Sequence, residues 1–144
     1  MAPKIRVLGA DDFESIVALW VGAGLPYKPT GRDKKTSMIA QMKRDPDLFL
    51  GAFRDKKLVG NVIGTFGGRK GWVNRLAVDT QERRRGVARA LVGSIEEALR
   101  RRGAQVLAAL VEADNAGSLA LFQKCGFTVR QDLLYLNKRD SDQI

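Results

Sequence analysis

Histidine is missing from this 144-residue chain, and cysteine occurs once, at Cys125. Without imidazole, Ser-His triads, histidine proton relays and Cys/His zinc sites are excluded, and one thiol forms no intramolecular disulfide. Acid–base chemistry is left to carboxylates, Tyr, Lys, Cys or water. Aromatic residues make up only 7%, and the basic segments carry no interleaved rings of the kind that stack on nucleic-acid bases. No apolar run approaches the roughly 18 residues of a membrane span. The opening MAPKIRVLGADDF has no apolar core of the kind found in a secretory signal. The expectation is a cytoplasmic protein with no metal. Acidic residues are outnumbered, 16 against 25 Lys and Arg, for a net charge of +9. That field attracts polyanions or acidic partners but says nothing about fold. Length and an ordinary globular composition predict a single domain over 1–144.

What the chain does carry is a succession of short periodic segments. Lys4–Leu8 alternates as a strand. The Asp11-to-Glu14 spacing resembles a capping box, opening a helix through Phe13, Ile16, Val17 and Trp20 that stops at Gly22 and Gly24. GAGLPYKPTGRDKK follows as a solvated loop able to border a site, with Tyr27 within it as a candidate substrate contact or a local packing residue. TSMIAQMKR reads as a short helix. DLFLGAF, KLVGNVIGTF and GWVNRLAVD read as a three-stranded antiparallel meander. From Gly86 the period changes to 3.6, with Val87, Leu91, Ile95, Ala98 and Leu99 in one stripe. AQVLAALV is apolar enough for a strand covered on both faces. DNAGSLALFQKC is a second amphipathic helix capped by Asp114 or Asn115, and GFTVR and LLYLNK close the chain as two strands. The predicted order is β-α-α-β-β-β-α-β-α-β-β, an α/β (α+β) fold.

The run RRRGVA sits between a strand ending LAVD and a helix beginning near Gly86. A helix start offers unpartnered N–H groups and partial positive charge, so it attracts anions, and glycine admits a phosphate close to the backbone. Arg83-x-x-Gly86-x-Ala88, following Leu76-Ala77-Val78, resembles the Q/R-x-x-G-x-G/A signature of the GNAT superfamily of acyl-CoA-dependent N-acetyltransferases. Asn115-x-x-Ser118-x-x-Leu121-Phe122-x-x-x-Gly126-Phe127 is similar to that family's second motif. The resemblance covers essentially the whole chain and is nearest to the small stand-alone members. It implies a mixed, mostly antiparallel sheet with one splayed parallel pair. It also implies acetyl-CoA as cosubstrate and a primary amine of a small molecule or protein as acceptor. Leu76, Ala77 and Val78 would pair with the pantetheine arm, and the amides of Arg84, Arg85, Gly86, Val87, Ala88 and Arg89 would cradle the diphosphate. Asn115 would approach the arm from the opposite side, and an N–H on the LAV strand would stabilise the oxyanion.

Two positions depart from the family. Phe122 stands where many members have a tyrosine acid, and Leu110 where N-terminal acetyltransferases of the ribosomal-protein type tend to have a glutamate. A positioned acid or base contributes about 10²- to 10⁴-fold, and a thiol of pKa about 8.5 leaves partly as thiolate, so activity is reduced but not forbidden. Glu112, two residues along the strand from Leu110, is the substitute base or an ordinary surface carboxylate. Asn115 is alternatively only a helix cap, and Cys125 a packing thiol rather than a nucleophile. Two rival functions remain: a nucleic-acid-associated protein or tRNA-directed acetyltransferase, suggested by the charge, and a catalytically inert CoA-binding regulatory module, suggested by Phe122 and Leu110. A monomer or homodimer is expected.

Overall fold

The computed structural model describes residues 2–142. Strand β1 (Lys4–Val7) leads through a 3-10 turn to helices α1 (Phe13–Ala23) and α2 (Lys35–Arg44). The meander β2 (Phe49–Arg54), β3 (Lys57–Phe66) and β4 (Lys70–Val78) follows, then α3 (Val87–Arg101), β5 (Val106–Ala109) and α4 (Ala116–Lys124). All five strands form one sheet in chain order, antiparallel from β1 to β4, with β5 parallel to β4.

Strand alternation divides the core between the two faces. Val62 points into a cluster with Val87, Leu91, Ile95 and Leu99 of α3 and Phe122 of α4. Ile63, its neighbour, joins Phe13, Ile16 and Trp20 of α1 and Met38 and Met42 of α2. Each buried aliphatic side chain of α3 contributes about 1.5–3 kcal/mol over exposure. The helix lies close because β3 offers glycine beneath it: a Cβ on Gly60 would stand 2.9 Å from both Leu91 Cδ1 and Val87 Cγ1. Helix α1 stops where Gly24 turns left-handed at φ 79°. The capping link expected between Asp11 and Glu14 is made instead by Asp12, which accepts the Gly9 N–H at 2.8 Å, while Glu14 pairs with Lys35.

Two sequence expectations are corrected. The strand within AQVLAALV is short and has one neighbour, β4, so it is an edge rather than a covered strand; Val106 and Leu110 are more than half exposed. The two closing strands do not form. Among the described residues nothing after Lys124 is helix or strand, and Leu134 and Leu136 are 87% and 85% exposed. Of GFTVR only Phe127 is held in the core, edge to face with Phe122 at 5.1 Å.

Candidate active site

The parallel pair separates along its length. Strand β4 is joined to β5 only from Lys70 to Val73, so Asn74 to Val78 run on without that neighbour. On its other side β4 carries a bulge. Asn61 faces Ala77 and Ile63 faces Asn74, which leaves Val62 opposite two residues, Arg75 and Leu76. Arg75 sits at φ 48°, a conformation costing a non-glycine residue about 1–3 kcal/mol and held only by its surroundings. Beyond the bulge, Asp79 donates its N–H to Val59 at 2.8 Å, toward β3. Alternation then turns Ala77 toward β3 as well, and aims the backbone groups of Leu76 and Val78 into the splay.

The splay opens beside the start of α3. Arg84 at φ 63° and Gly86 at φ 82° fold the loop between strand and helix. Gly86 is the cap, and its carbonyl takes the Ala90 N–H at 3.0 Å. The N–H groups of Val87, Ala88 and Arg89 precede the first intrahelical bond. A Cβ built on Gly86 meets nothing within 4 Å, so the space above the helix start is open. Val87 is buried beneath it, which anchors the turn. Arg83, Arg84 and Arg85 stand exposed around it, with Arg85 drawn 3.4 Å from Glu82.

The other predicted residues fall differently. Asn115 is the cap of α4, its Oδ1 accepting the Ser118 N–H at 3.1 Å. Glu112 is exposed and lies beyond the end of β5, so it is not on the strand it was expected to share with Leu110. Phe122 is 8% exposed and packed in the α3 core. Burial pushes the Cys125 thiol up, with Arg89 opposing and Glu96 adding to the effect, which fits a packing thiol rather than a nucleophile. Tyr27 is partly buried, edge-on to Trp20 with ring centroids 6.5 Å apart.

Sequence reading missed a polar network on the α1 side of the sheet. Asp33, 4% exposed, receives both the Lys28 N–H and a two-pronged contact from Arg75. The Arg75 guanidinium lies over the Trp20 ring at 4.8 Å, and the Trp20 indole N–H reaches Asn61. Burial pulls the Arg75 pKa down, while the Asp33 charge favours its protonated form. The signal available in the sequence was polar residues within apolar strands, Asn61 in KLVGNVIGTF and Arg75 in GWVNRLAVD.

A hollow of about 480 Å³ also opens at the β2–β3 turn, but none of its lining residues belongs to the splay. Its Arg54–Glu82 and Lys57–Asp79 ion pairs neutralise much of its charge. Among the described residues no cluster of three or more His, Cys, Asp or Glu could hold a metal, and no helix is long and apolar enough to cross a membrane.

The chain has relatives of known family and of known structure. The Acetyltransferase (GNAT) family matches residues 13–127. An acetyltransferase of Sodalis glossinidius (strain morsitans) is 32% identical over 136 residues, 94% of each chain. In fold the chain is similar to the PaiA N-acetyltransferase of Thermoplasma acidophilum, solved with coenzyme A. The TM-score is 0.74 at 22% identity, covering 90% of this chain and 92% of that one. It is similar also to Ard1 of Thermoplasma volcanium, with TM-score 0.79 at 21% identity, covering 90% and 85%. The family match spans both the helix-start loop and the α4 motif, and the chain belongs to the GNAT family as an acetyl-CoA-dependent N-acetyltransferase.

Proposed function

We propose that the splay between β4 and β5 is the acetyl-CoA groove and that the amine acceptor enters from the side of the 25–34 loop, beside Tyr27. The observation that carries this reading is the run of β4 left without a neighbour, pointing at an open helix start. Leu76 and Val78 present backbone groups to the pantetheine arm, whereas Ala77 serves by pairing inward with β3. The N–H groups of Val87, Ala88 and Arg89 receive the diphosphate, Gly86 keeps their approach clear, and Arg84 and Arg85 add long-range attraction. Asn115, already capping α4, has its amide N–H₂ left to offer the arm.

Acetyl-CoA supplies an acetyl group activated as a thioester. The Leu76 N–H stabilises the charge that develops on the carbonyl oxygen as a neutral primary amine attacks. The C–N bond forms, the C–S bond breaks, and the sulfur departs with its electron pair. The ammonium proton passes to solvent or to Glu112, which solvent reaches freely. With Phe122 in place of a side-chain acid, the sulfur leaves as thiolate.

Residues 1–144 form one catalytic domain in this reading, acting in the cytoplasm as a monomer or homodimer on a small molecule or protein. A nucleic-acid partner is not favoured, because many basic side chains are spent on neighbouring carboxylates, among them Arg6, Arg44, Arg54, Arg75 and Arg102. Acetyl transfer is measured across small amines, polyamines, amino acids and peptides, beside calorimetry with acetyl-CoA. The expected result is micromolar-range cofactor binding with turnover on at least one amine class. Binding without any turnover would favour the inert CoA-binding module instead.

A further inference from the structure

Arg75 is the residue that the bulge in β4 displaces, and its side chain is tied down at three points. Nη2 donates to both Asp33 oxygens, at 2.8 and 3.1 Å, Nη1 donates to the Pro26 carbonyl, and the guanidinium covers Trp20. The ion pair is sheltered, with side chains 15% and 6% exposed. Asp33 is in turn fixed by the Lys28 N–H at 2.8 Å, and Lys28 accepts the Asp33 N–H. The circuit closes through Trp20, held by Asn61 on β3, the strand residue opposite Ala77. A single side chain thus joins the loop bordering the acceptor entrance to the strained backbone unit immediately before Leu76.

We propose that Arg75 is a positioning residue: held by Asp33 and Pro26, it fixes the bulge that aims the Leu76 N–H into the splay, and so couples order in the 26–34 loop to stabilisation of the acetyl oxygen. This rests on the reading of Leu76 as the donor. The bulge sets position 75 left-handed, a conformation that an L-residue takes at a cost, and the side-chain contacts help to hold it there. The guanidinium is held from two directions, Nη2 on the Asp33 carboxylate and Nη1 on the Pro26 carbonyl, which constrains its orientation as well as its distance. Loosening the tie would let the donor wander without removing it.

The test uses Arg75→Gly, which accepts a positive φ without strain, Asp33→Asn, the double variant, and Arg75→Lys. Steady-state kinetics is expected to show kcat lowered roughly tenfold in Arg75→Gly, short of the 10²–10³-fold for outright loss of a donor, with acetyl-CoA KM unchanged within twofold. The double variant, which leaves no unpaired buried charge, is expected to lose no more than Arg75→Gly alone, and Arg75→Lys to recover part of the rate. Infrared spectroscopy with a non-transferable analogue, a methylene replacing the thioester sulfur and carbon-13 at the carbonyl, reads the same contact directly. Bound to the unmodified protein, its carbonyl band is expected to shift to lower frequency, and the shift to weaken in Arg75→Gly. A wild-type kcat and an undiminished band shift in folded Arg75→Gly would overturn the proposal and leave the Leu76 reading intact. No shift in the unmodified protein would remove the Leu76 reading itself, and the coupling with it.

Discussion

The indole N–H of Trp20 donates to Asn61 Oδ1 at 2.8 Å inside the protein, and the Asn61 amide nitrogen has no partner of its own. Removing either member leaves a buried polar atom unpaired, which costs about 1–3 kcal/mol, whereas replacing both by apolar groups of similar shape is close to neutral. Urea unfolding of Trp20→Phe, Asn61→Leu and the double variant is therefore expected to show each single change destabilising. The double change is expected to cost clearly less than their sum. Simple additivity would mean that the bond contributes nothing.

At Gly86 two variants separate conformation from occupancy. Gly86→Ala places a methyl group in open space but forces a left-handed φ of 82° on an L-residue, so stability is expected to fall by about 1–2 kcal/mol while acetyl-CoA affinity changes modestly. Gly86→Glu adds a negative charge where the diphosphate is to lie, and calorimetry is expected to show binding abolished. Unchanged affinity in the glutamate variant would remove the helix start from the cofactor site.

Phe122→Tyr restores the hydroxyl that many relatives carry, but into a side chain packed edge to face on Phe127. A buried hydroxyl without a partner lowers stability by about 1–3 kcal/mol. The expected outcome is that loss in denaturant unfolding, with turnover unchanged. A clear rise in kcat would show that the ring edge faces the leaving sulfur.

Acid stability is expected to depend on Arg102, which joins α3 to the segment before β2 by bonding Asp45 at 2.9 Å and Asp47 at 3.1 Å. The Arg102 hydrogen bond is the main cause that holds the Asp47 carboxyl below its ordinary range. At Asp45, burial works the other way but Arg44 and Arg102 still bring the pKa down. A lowered folded-state pKa gives stability that is present above the unfolded value, about pH 4, and lost as pH falls through the folded one. Arg102→Gln is thus expected to move the acid-unfolding midpoint, followed by circular dichroism, to higher pH. At neutral pH it is expected to cost less than about 1 kcal/mol, since the groups are partly exposed.

What could be read from the sequence was whatever depends on local order. Gly86 between a strand and a 3.6-residue stripe announces a helix start, and Gly24 announces a helix end, because each needs only its own backbone and neighbours. The apolar stripe of α3 was visible residue by residue for the same reason. Arg75 was not, because a bulge exists only relative to the register of β3, and nothing in NRLAV alone says that Val62 will face two residues. Asp33 was hidden likewise: GRDKK reads as a solvated loop until Arg75 arrives from 42 positions away. LLYLNK shows the limit from the other side. Its composition suits a strand, but a strand also needs a partner edge and a face to bury, and neither is encoded in the segment itself. Asp114 and Asn115 were both legible as cap candidates, and the structure makes Asn115 the cap, which leaves only its amide nitrogen for a further task.

Gly60, Gly64 and Gly71 set the distance between the sheet and α3 by having no side chain where Leu91, Ile95 and Leu99 come down, with Cβ clearances of only 2.9 to 3.2 Å. In evolutionary terms each glycine and the leucine or isoleucine above it make one heritable unit. A lineage that enlarges position 60 must shrink position 91 or 87 in company, or see α3 lifted and Gly86 carried away from the strand it faces. Substitutions at these positions are therefore expected to travel in pairs among relatives.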